Sequence, residues 1–348
     1  MKKEISNYRL PAEWEHHEAT WIGWPANKED WPGKFSPIPW VYAEIVRHIS
    51  RNEKVRIIVQ SRQHQAKAEF VLKSVRTNLS NVEFYILKTN RNWLRDAAPQ
   101  FVKDNIGNTI LINFGFNAWA KYDNYKLDAN IPKMISEKFN LLRIETLHKN
   151  RHVVLEGGSI DYNGKGTIIT TEECLLDSET QVRNTDFSKS DYEYVFRKYL
   201  GAKNIIWLNR GIIGDDTHGH VDDITRFVNH NTVVTSMEAH PNDQNYIPLM
   251  ENREILEDAK VEDGSSVDIV ELPMPSPVIF KGQRLPASYA NFYISNYAVL
   301  VPTFNDPNDR IALGVLAELF TDRPVIGIHA VDLVWGLGTL HCLTHEQM

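Results

Sequence analysis

The sequence predicts a mixed α/β fold in which short strands and helices alternate along the whole chain. Three observations predict it. Short β-branched apolar runs, at residues 55–59, 82–86 and 204–208, recur between stretches with helical periodicity. Polar motifs stand at the ends of these runs rather than inside them. No Pro/Gly/Ser-rich linker and no block of like charge marks a boundary, so residues 1–348 are read as one domain.

Residues 19–25, rich in tryptophan, read as an aromatic strand ended by Pro25. Trp40, Ile45 and Ile49 recur at helical spacing and predict a helix over 38–49. A strand at 55–59, a helix at 63–75 and a strand at 82–86 follow, leading to the polar stretch 90–99. Residues 101–102 and 109–114 form a hairpin across a turn at 104–108. A strand at 153–155 runs into Glu156-Gly157-Gly158-Ser159, and a second hairpin crosses 163–166. Then come a helix at 191–199, a strand at 204–208 and the stretch 214–223. The last part holds paired strands at 288–295 and 298–302, a helix at 310–320 and a strand at 325–328. This rhythm suggests modules, although position-by-position self-similarity is too weak to establish a repeat.

Composition is that of a globular protein, 42% hydrophobic and 24% charged. The net charge of −7 comes without any run of Lys or Arg, which disfavours nucleic-acid and anionic-membrane binding and favours a small cationic partner. Residues 1–7 are not followed by an apolar core of a signal peptide, and no stretch reaches the apolar length of a membrane span. The two cysteines, Cys174 and Cys342, do not suggest a disulfide framework. A reduced, cytoplasmic protein is expected.

Residues 214–223 concentrate acid/base chemistry: Asp215, Asp216, Asp222 and Asp223 with His218 and His220. In an extended segment alternate side chains share a face, so His218, His220 and Asp222 are expected to point the same way. Three readings compete: a solvated polar turn, a His/His/Asp metal site, and metal-free catalysis with His220 as proton carrier. Cys342 follows a Gly-x-Gly turn and stands beside His341, whereas Cys174 precedes Leu175-Leu176 and reads as a buried small hydrophobe. A nucleophilic Cys342 needs a proton carrier and a cation or dipole to favour thiolate. Glu156-Gly157-Gly158 and Trp93-Leu94-Arg95-Asp96 each also read as an ordinary turn or surface ion pair when taken alone.

Together, Trp93-x-x-Asp96, Glu156-Gly157-Gly158-Ser159, Thr217-x-Gly219-His220-Val221-Asp222 and His341-Cys342-Leu343-Thr344 resemble the agmatine deiminases and related bacterial peptidylarginine deiminases. Ala12-Glu13-Trp14, Phe116-Asn117-Ala118-Trp119 and Leu285-Pro286-Ala287-Ser288-Tyr289-Ala290-Asn291-Phe292 extend the match from about residue 10 to the end. The resemblance implies a guanidino-group-modifying enzyme with a five-bladed α/β propeller (pentein) fold of ββαβ modules. It implies Cys342 as nucleophile, His220 as general acid/base, Asp96 and Asp222 on the guanidinium nitrogens and Glu156 supporting His220. Asp216 would meet the distal amine of agmatine, and Trp93 and Trp119 would line the channel. No metal or organic cofactor is implied, and a homo-oligomer is.

The expected reaction is hydrolysis of agmatine to N-carbamoylputrescine and ammonia. Alternatives are deimination of free arginine, peptidylarginine or another guanidino compound, metal-dependent hydrolysis through His218, His220 and Asp222, and guanidinium binding without turnover. Free arginine requires a cation for its carboxylate, which the sequence does not single out. His218, His329 and His341 are read as structural.

Overall fold

The computed structural model describes residues 8–348; the charge pattern at residues 1–7 lies outside the described residues. Among the described residues no helix is long and apolar enough to cross a membrane.

Five sheets of three or four strands carry the fold, and each joins an antiparallel strand pair to a parallel one. The simplest is Asp161–Tyr162 antiparallel to Thr167–Thr171, which runs parallel to Asn204–Leu208. Thr225–Phe227, Thr232–Met237 and Asp268–Pro273 repeat the pattern, as do Tyr293–Ile294, Val299–Thr303 and Val325–His329. In another, Gln100–Asp104, Thr109–Asn113 and Arg143–Glu145 do the same, with Tyr8–Arg9 added at the edge. The fifth joins both ends of the chain: Thr344–Gln347 pairs antiparallel with Ala19–Gly23, which runs parallel to Lys54–Val59 and then Val82–Ile86.

A helix lies in each parallel crossover, as parallel pairing requires a long return. Ile38–Ile49 is representative: Ile38, Tyr42, Ile45, Val46 and Ile49 form its buried stripe. Trp40, expected on that face, is on the opposite side and 47% exposed. Beneath it, Val55, Ile57, Ile58 and Val59 are all buried, as in a covered parallel strand, with the buried Arg56 between them paired to Glu18 and Glu83. Burial of each such side chain contributes roughly 1.5–3 kcal/mol.

Several expected elements are shorter or different. Residues 153–155 make only a bridge between Val154 and Gly115, and 288–295 narrows to Tyr293–Ile294. The helix expected over 191–199 is Lys189–Val195 followed by a π-helical turn, Phe196–Leu200. Residues 218–222 are not extended: His218 has φ +64° and Val221–Asp223 is a 3-10 turn. The expected common face of His218, His220 and Asp222 therefore does not form.

That turn belongs to a pattern which positions the site. The antiparallel strand opening each sheet is preceded by a tight turn: Leu94–Ala97 before Gln100, Gly157–Ser159 before Asp161, Val221–Asp223 before Thr225. Residues 289–290 form a turn before Tyr293, and Leu340–Leu343 precedes Thr344. These turns touch one another. Gly158 N donates to Asp96 Oδ1, Asn291 Nδ2 to Asp223 Oδ1, and His341 N to the Asn291 carbonyl.

Below them the centre is ionic rather than apolar. Arg95 pairs with Glu346 at 2.8 Å and Glu13 at 3.2 Å, and Arg226 with Glu13 at 3.0 Å and with Asp161, all buried. Such pairs add little net stability when intact, but removing one partner strands a charge in a dry environment.

Candidate active site

Cys342 enters the centre on the turn Leu340–Leu343, held from behind by the strand Thr344–Gln347. Its Sγ accepts from Asn291 Nδ2 at 3.1 Å and lies 3.7 Å from Asp222 Oδ2. A Cβ on Gly338 would stand 3.3 Å from that sulfur and 2.8 Å from the Trp93 ring, so close approach is what this glycine provides. Burial pushes the thiol well above its ordinary range, and Asp222, Asp223 and Asp96 push it further.

His220 is buried among Asp96, Asp222 and Glu156. Its Nδ1 lies 3.9 Å from Asp96 Oδ1 and 4.0 Å from Asp222 Oδ1; its Nε2 lies 3.8 Å from Glu156 Oε2. These are ion-pair separations, and neither ring nitrogen, nor Asp222 Oδ1, has a hydrogen-bond partner among the described residues. Burial would lower the imidazole, but Asp96, the Cys174 sulfur and Glu156 outweigh it and hold His220 well above its usual value. Both shifts favour the protonated forms, a neutral thiol at Cys342 and a charged imidazole at His220.

The carboxylates differ in charge state because their neighbours differ. Arg183 and His220 overcome burial at Glu156 and lower it to about 2. At Asp222 the bond and charge of His341 overcome burial and lower it, whereas burial, Asp222 and Asp215 drive Asp223 well up. Asp96 is raised by burial, against His220 and with Asp222 and Glu156. It is also fixed from both sides, accepting from Gly158 N at 3.0 Å and from Trp119 Nε1 at 2.9 Å.

A cavity of about 110 Å³ leads from Cys342 between Trp93 and Trp119 to a mouth bearing Tyr122, Asp216 and Arg91. Trp93 leans on Trp31, whose Nε1 donates to the Leu333 carbonyl. Trp21 and Trp31 are core residues, 0% and 1% exposed. Asp216 accepts from Lys121 Nζ at 2.6 Å and Tyr122 Oη at 2.7 Å.

The structure thus brings Cys342, His220, Asp96, Asp222, Glu156, Trp93 and Trp119 together and puts Asp216 at the mouth. His218 is not among them. Its Nε2 is on Asp177 at 2.8 Å, which removes the His218/His220/Asp222 metal site. Two other triplets hold ligand atoms within 4.8 Å of one another: Glu156, Cys174 and His220, and Asp222, Asp223 and Cys342. Glu156 is already held by Arg183 Nε at 3.1 Å, and both triplets consist largely of the groups described above.

Sequence reasoning missed several participants. Arg183 holds Glu156 and the carbonyls of Gln181 and Thr217. His341 joins Asp222 Oδ2 at 2.7 Å to Glu13 Oε2 at 2.8 Å. Asp215 accepts from the backbone of Thr217, Gly219 and His220 and shapes the loop that carries the imidazole. Cys174, read as apolar filler, presents its sulfur to His220. Asn291, Glu13 and His341 had a signal, lying inside recognised motifs, and Asp215 stood in the acidic stretch 214–223, but none of them was assigned a role in the site.

Known proteins share this arrangement of sequence and fold. The chain is 31% identical to the agmatine deiminase of Pseudomonas aeruginosa (strain LESB58), over 98% of this chain and 95% of that one. Among solved structures it is similar to the agmatine deiminase of Enterococcus faecalis, with TM-score 0.89, 27% identity, and coverage of 98% and 96%. A cysteine-to-serine variant of C. jejuni agmatine deiminase with substrate bound gives TM-score 0.86 and 30% identity, covering 98% and 96%. A family model, Porphyromonas-type peptidyl-arginine deiminase, matches residues 9–347, and with the relatives above it places the chain in that family.

Proposed function

We propose that this protein is a hydrolase that converts agmatine and water to N-carbamoylputrescine and ammonia. One observation carries the reading: Cys342 and Asp96 line a narrow cavity, and His220, Asp222 and Glu156 are gathered directly behind them. At the mouth stands a further carboxylate, Asp216. A guanidinium is planar, permanently charged and weakly electrophilic, so it needs carboxylates to hold it flat against a strong nucleophile.

Asp96 and Asp222 take the guanidinium nitrogens by paired hydrogen bonds. Entry of this cation among carboxylates stabilises negative charge on the sulfur, so Cys342 loses its proton to solvent on binding. The thiolate forms a C–S bond, and the C=N electron pair moves onto nitrogen. His220 gives its proton to a terminal nitrogen, and the C–N bond breaks to release ammonia. A thiouronium on Cys342 remains. Neutral His220 then takes one proton from water as its oxygen bonds the carbon; the C–S bond breaks, the remaining hydroxyl proton passes to the departing sulfur, and the ureido product and the Cys342 thiol result. Glu156, clamped by Arg183, stabilises the imidazolium in both directions.

Free arginine is disfavoured by the mouth: Arg91 and Lys121, the cations near it, are bonded to Asp30 at 2.7 Å and Asp216 at 2.6 Å. The recurrent ββαβ pattern supports an arrangement of the five sheets as a five-bladed propeller, acting as a single catalytic domain over 1–348. A thiol-dependent reaction fits a reducing, cytoplasmic setting. Assembly as a homo-oligomer is carried by the family resemblance and is read by light scattering.

The test measures ureido product and ammonia from agmatine, arginine and an arginine-containing peptide, with chelator present. Turnover of agmatine above the others, lost in Cys342→Ser with an unchanged melting temperature, is expected. Retained turnover in that variant would remove the covalent mechanism, and a preference for arginine would remove the substrate assignment.

A further inference from the structure

An ammonium group of the protein's own is bonded to the carboxylate at the mouth of the cavity. Ala118, Trp119 and Ala120 have φ of +51°, +60° and +53°, three consecutive non-glycine residues in the left-handed region. Residues other than glycine enter that region at a cost in free energy, and such segments persist where tertiary contacts hold them. Here the contacts are explicit. Asn117 Oδ1 accepts from Ala120 N at 2.9 Å, and Trp119 Nε1 reaches Asp96. Gln181 Nε2 donates to the carbonyls of both Trp119 and Asp216 at 3.0 Å, tying the two walls of the mouth together.

The strained turn delivers Lys121, whose Nζ sits 2.6 Å from Asp216 Oδ1. Tyr122 Oη holds the other oxygen, and Arg91 stacks on the Tyr122 ring at 3.7 Å while paired with Asp30. Asp216 is therefore not an open acceptor at rest. Its side chain is 16% exposed but that of Lys121 is 40% exposed, so the lysine can leave into solvent while the carboxylate stays.

We propose that Lys121 is a specificity-determining residue, an internal ammonium that occupies Asp216 until the terminal ammonium of a substrate displaces it. The inference rests on the assignment of an amine-tailed guanidine as substrate. An exposed Lys–Asp pair is weak and exchangeable, so displacement costs little, but every amine-tailed substrate must overcome it. A guanidine of the same length without the amine does not compete for Asp216. Lys121 thus acts on substrate binding and leaves the chemistry at Cys342 alone.

The experiment compares agmatine with butylguanidine in wild-type, Lys121→Met and Lys121→Arg enzymes. Lys121→Met is expected to lower the KM for agmatine about two- to five-fold with kcat retained and the KM for butylguanidine unmoved. Lys121→Arg keeps the cation and should keep the wild-type ratio of the two KM values. An equal change for both substrates, or a rise for agmatine, would overturn the inference while leaving the reaction assignment standing. So would loss of arginine turnover in Lys121→Met with the agmatine KM unchanged, since Lys121 would then serve a substrate carboxylate. Wild-type turnover of butylguanidine without agmatine would remove the substrate assignment and this inference together.

Discussion

The backbone N–H of Gly158 donates to Asp96 Oδ1 at 3.0 Å, so a residue without a side chain fixes one of the carboxylates proposed to bind the guanidinium. A Cβ at that position would stand 2.6 Å from His220 Nδ1 and 3.1 Å from both Asp96 Oδ1 and Asp222 Oδ2. Gly158 does not have positive φ, so its need for glycine is one of space rather than backbone freedom. Gly158→Ala is expected to lower kcat by about 100-fold, the usual effect of displacing reacting groups by about an ångström. Steady-state kinetics with a melting curve would show it; near-normal kcat would mean that His220 has room to move.

The resting thiol gives a pH prediction. Cys342 is pushed up by burial and by Asp222, Asp223 and Asp96, so the reactive thiolate is scarce at neutral pH and increases as pH rises. Alkylation of the free enzyme by iodoacetamide should accelerate with pH and reach half its maximum above the free-cysteine value of about 8.5. Fast alkylation that does not change between about pH 6 and about pH 8 would point to a preformed thiolate–imidazolium pair.

Glu13 holds the ionic centre under the site. Its carboxylate meets Arg95, Arg226 and His341 and accepts from Ile294 N at 2.7 Å. Burial opposes its ionisation, but Arg226, His341 and Arg95 prevail and keep it well below the usual carboxylate range. Glu13→Ala should cost about 3 kcal/mol of stability by leaving Arg95 and Arg226 each with a single carboxylate in the interior, Glu346 and Asp161. Urea denaturation measures this, and a loss under about 1 kcal/mol would mean that water or a rearranged Glu346 replaces the carboxylate.

At the mouth, Asp216→Asn removes the charge but retains the size of the side chain. Loss of a charge-assisted pair with the substrate predicts a KM for agmatine raised about ten-fold, with a smaller change in kcat. Equal KM values in the two proteins would place the amine tail elsewhere.

Much of this protein is legible before folding. The strands at 55–59, 82–86 and 204–208 and the helix at 38–49 follow from apolar periodicity, because backbone geometry repeats locally. The Cys, His and carboxylate motifs could be recognised for the same kind of reason: each is a short contiguous string. The spacing argument failed at His218 and His220, where a left-handed residue and a 3-10 turn break the alternation that an extended strand would have imposed.

Only the tertiary structure decided which residues share a site. Asp96, His220 and Cys342 come from separate turns, and a linear string carries no measure of their approach. The partners that set their charge, Arg183 on Glu156 and His341 between Asp222 and Glu13, act across a dry interior where electrostatic interactions are strong. Lys121 reaches Asp216 across 95 positions of sequence, a contact made by packing two loops against each other, which no local preference of either loop encodes.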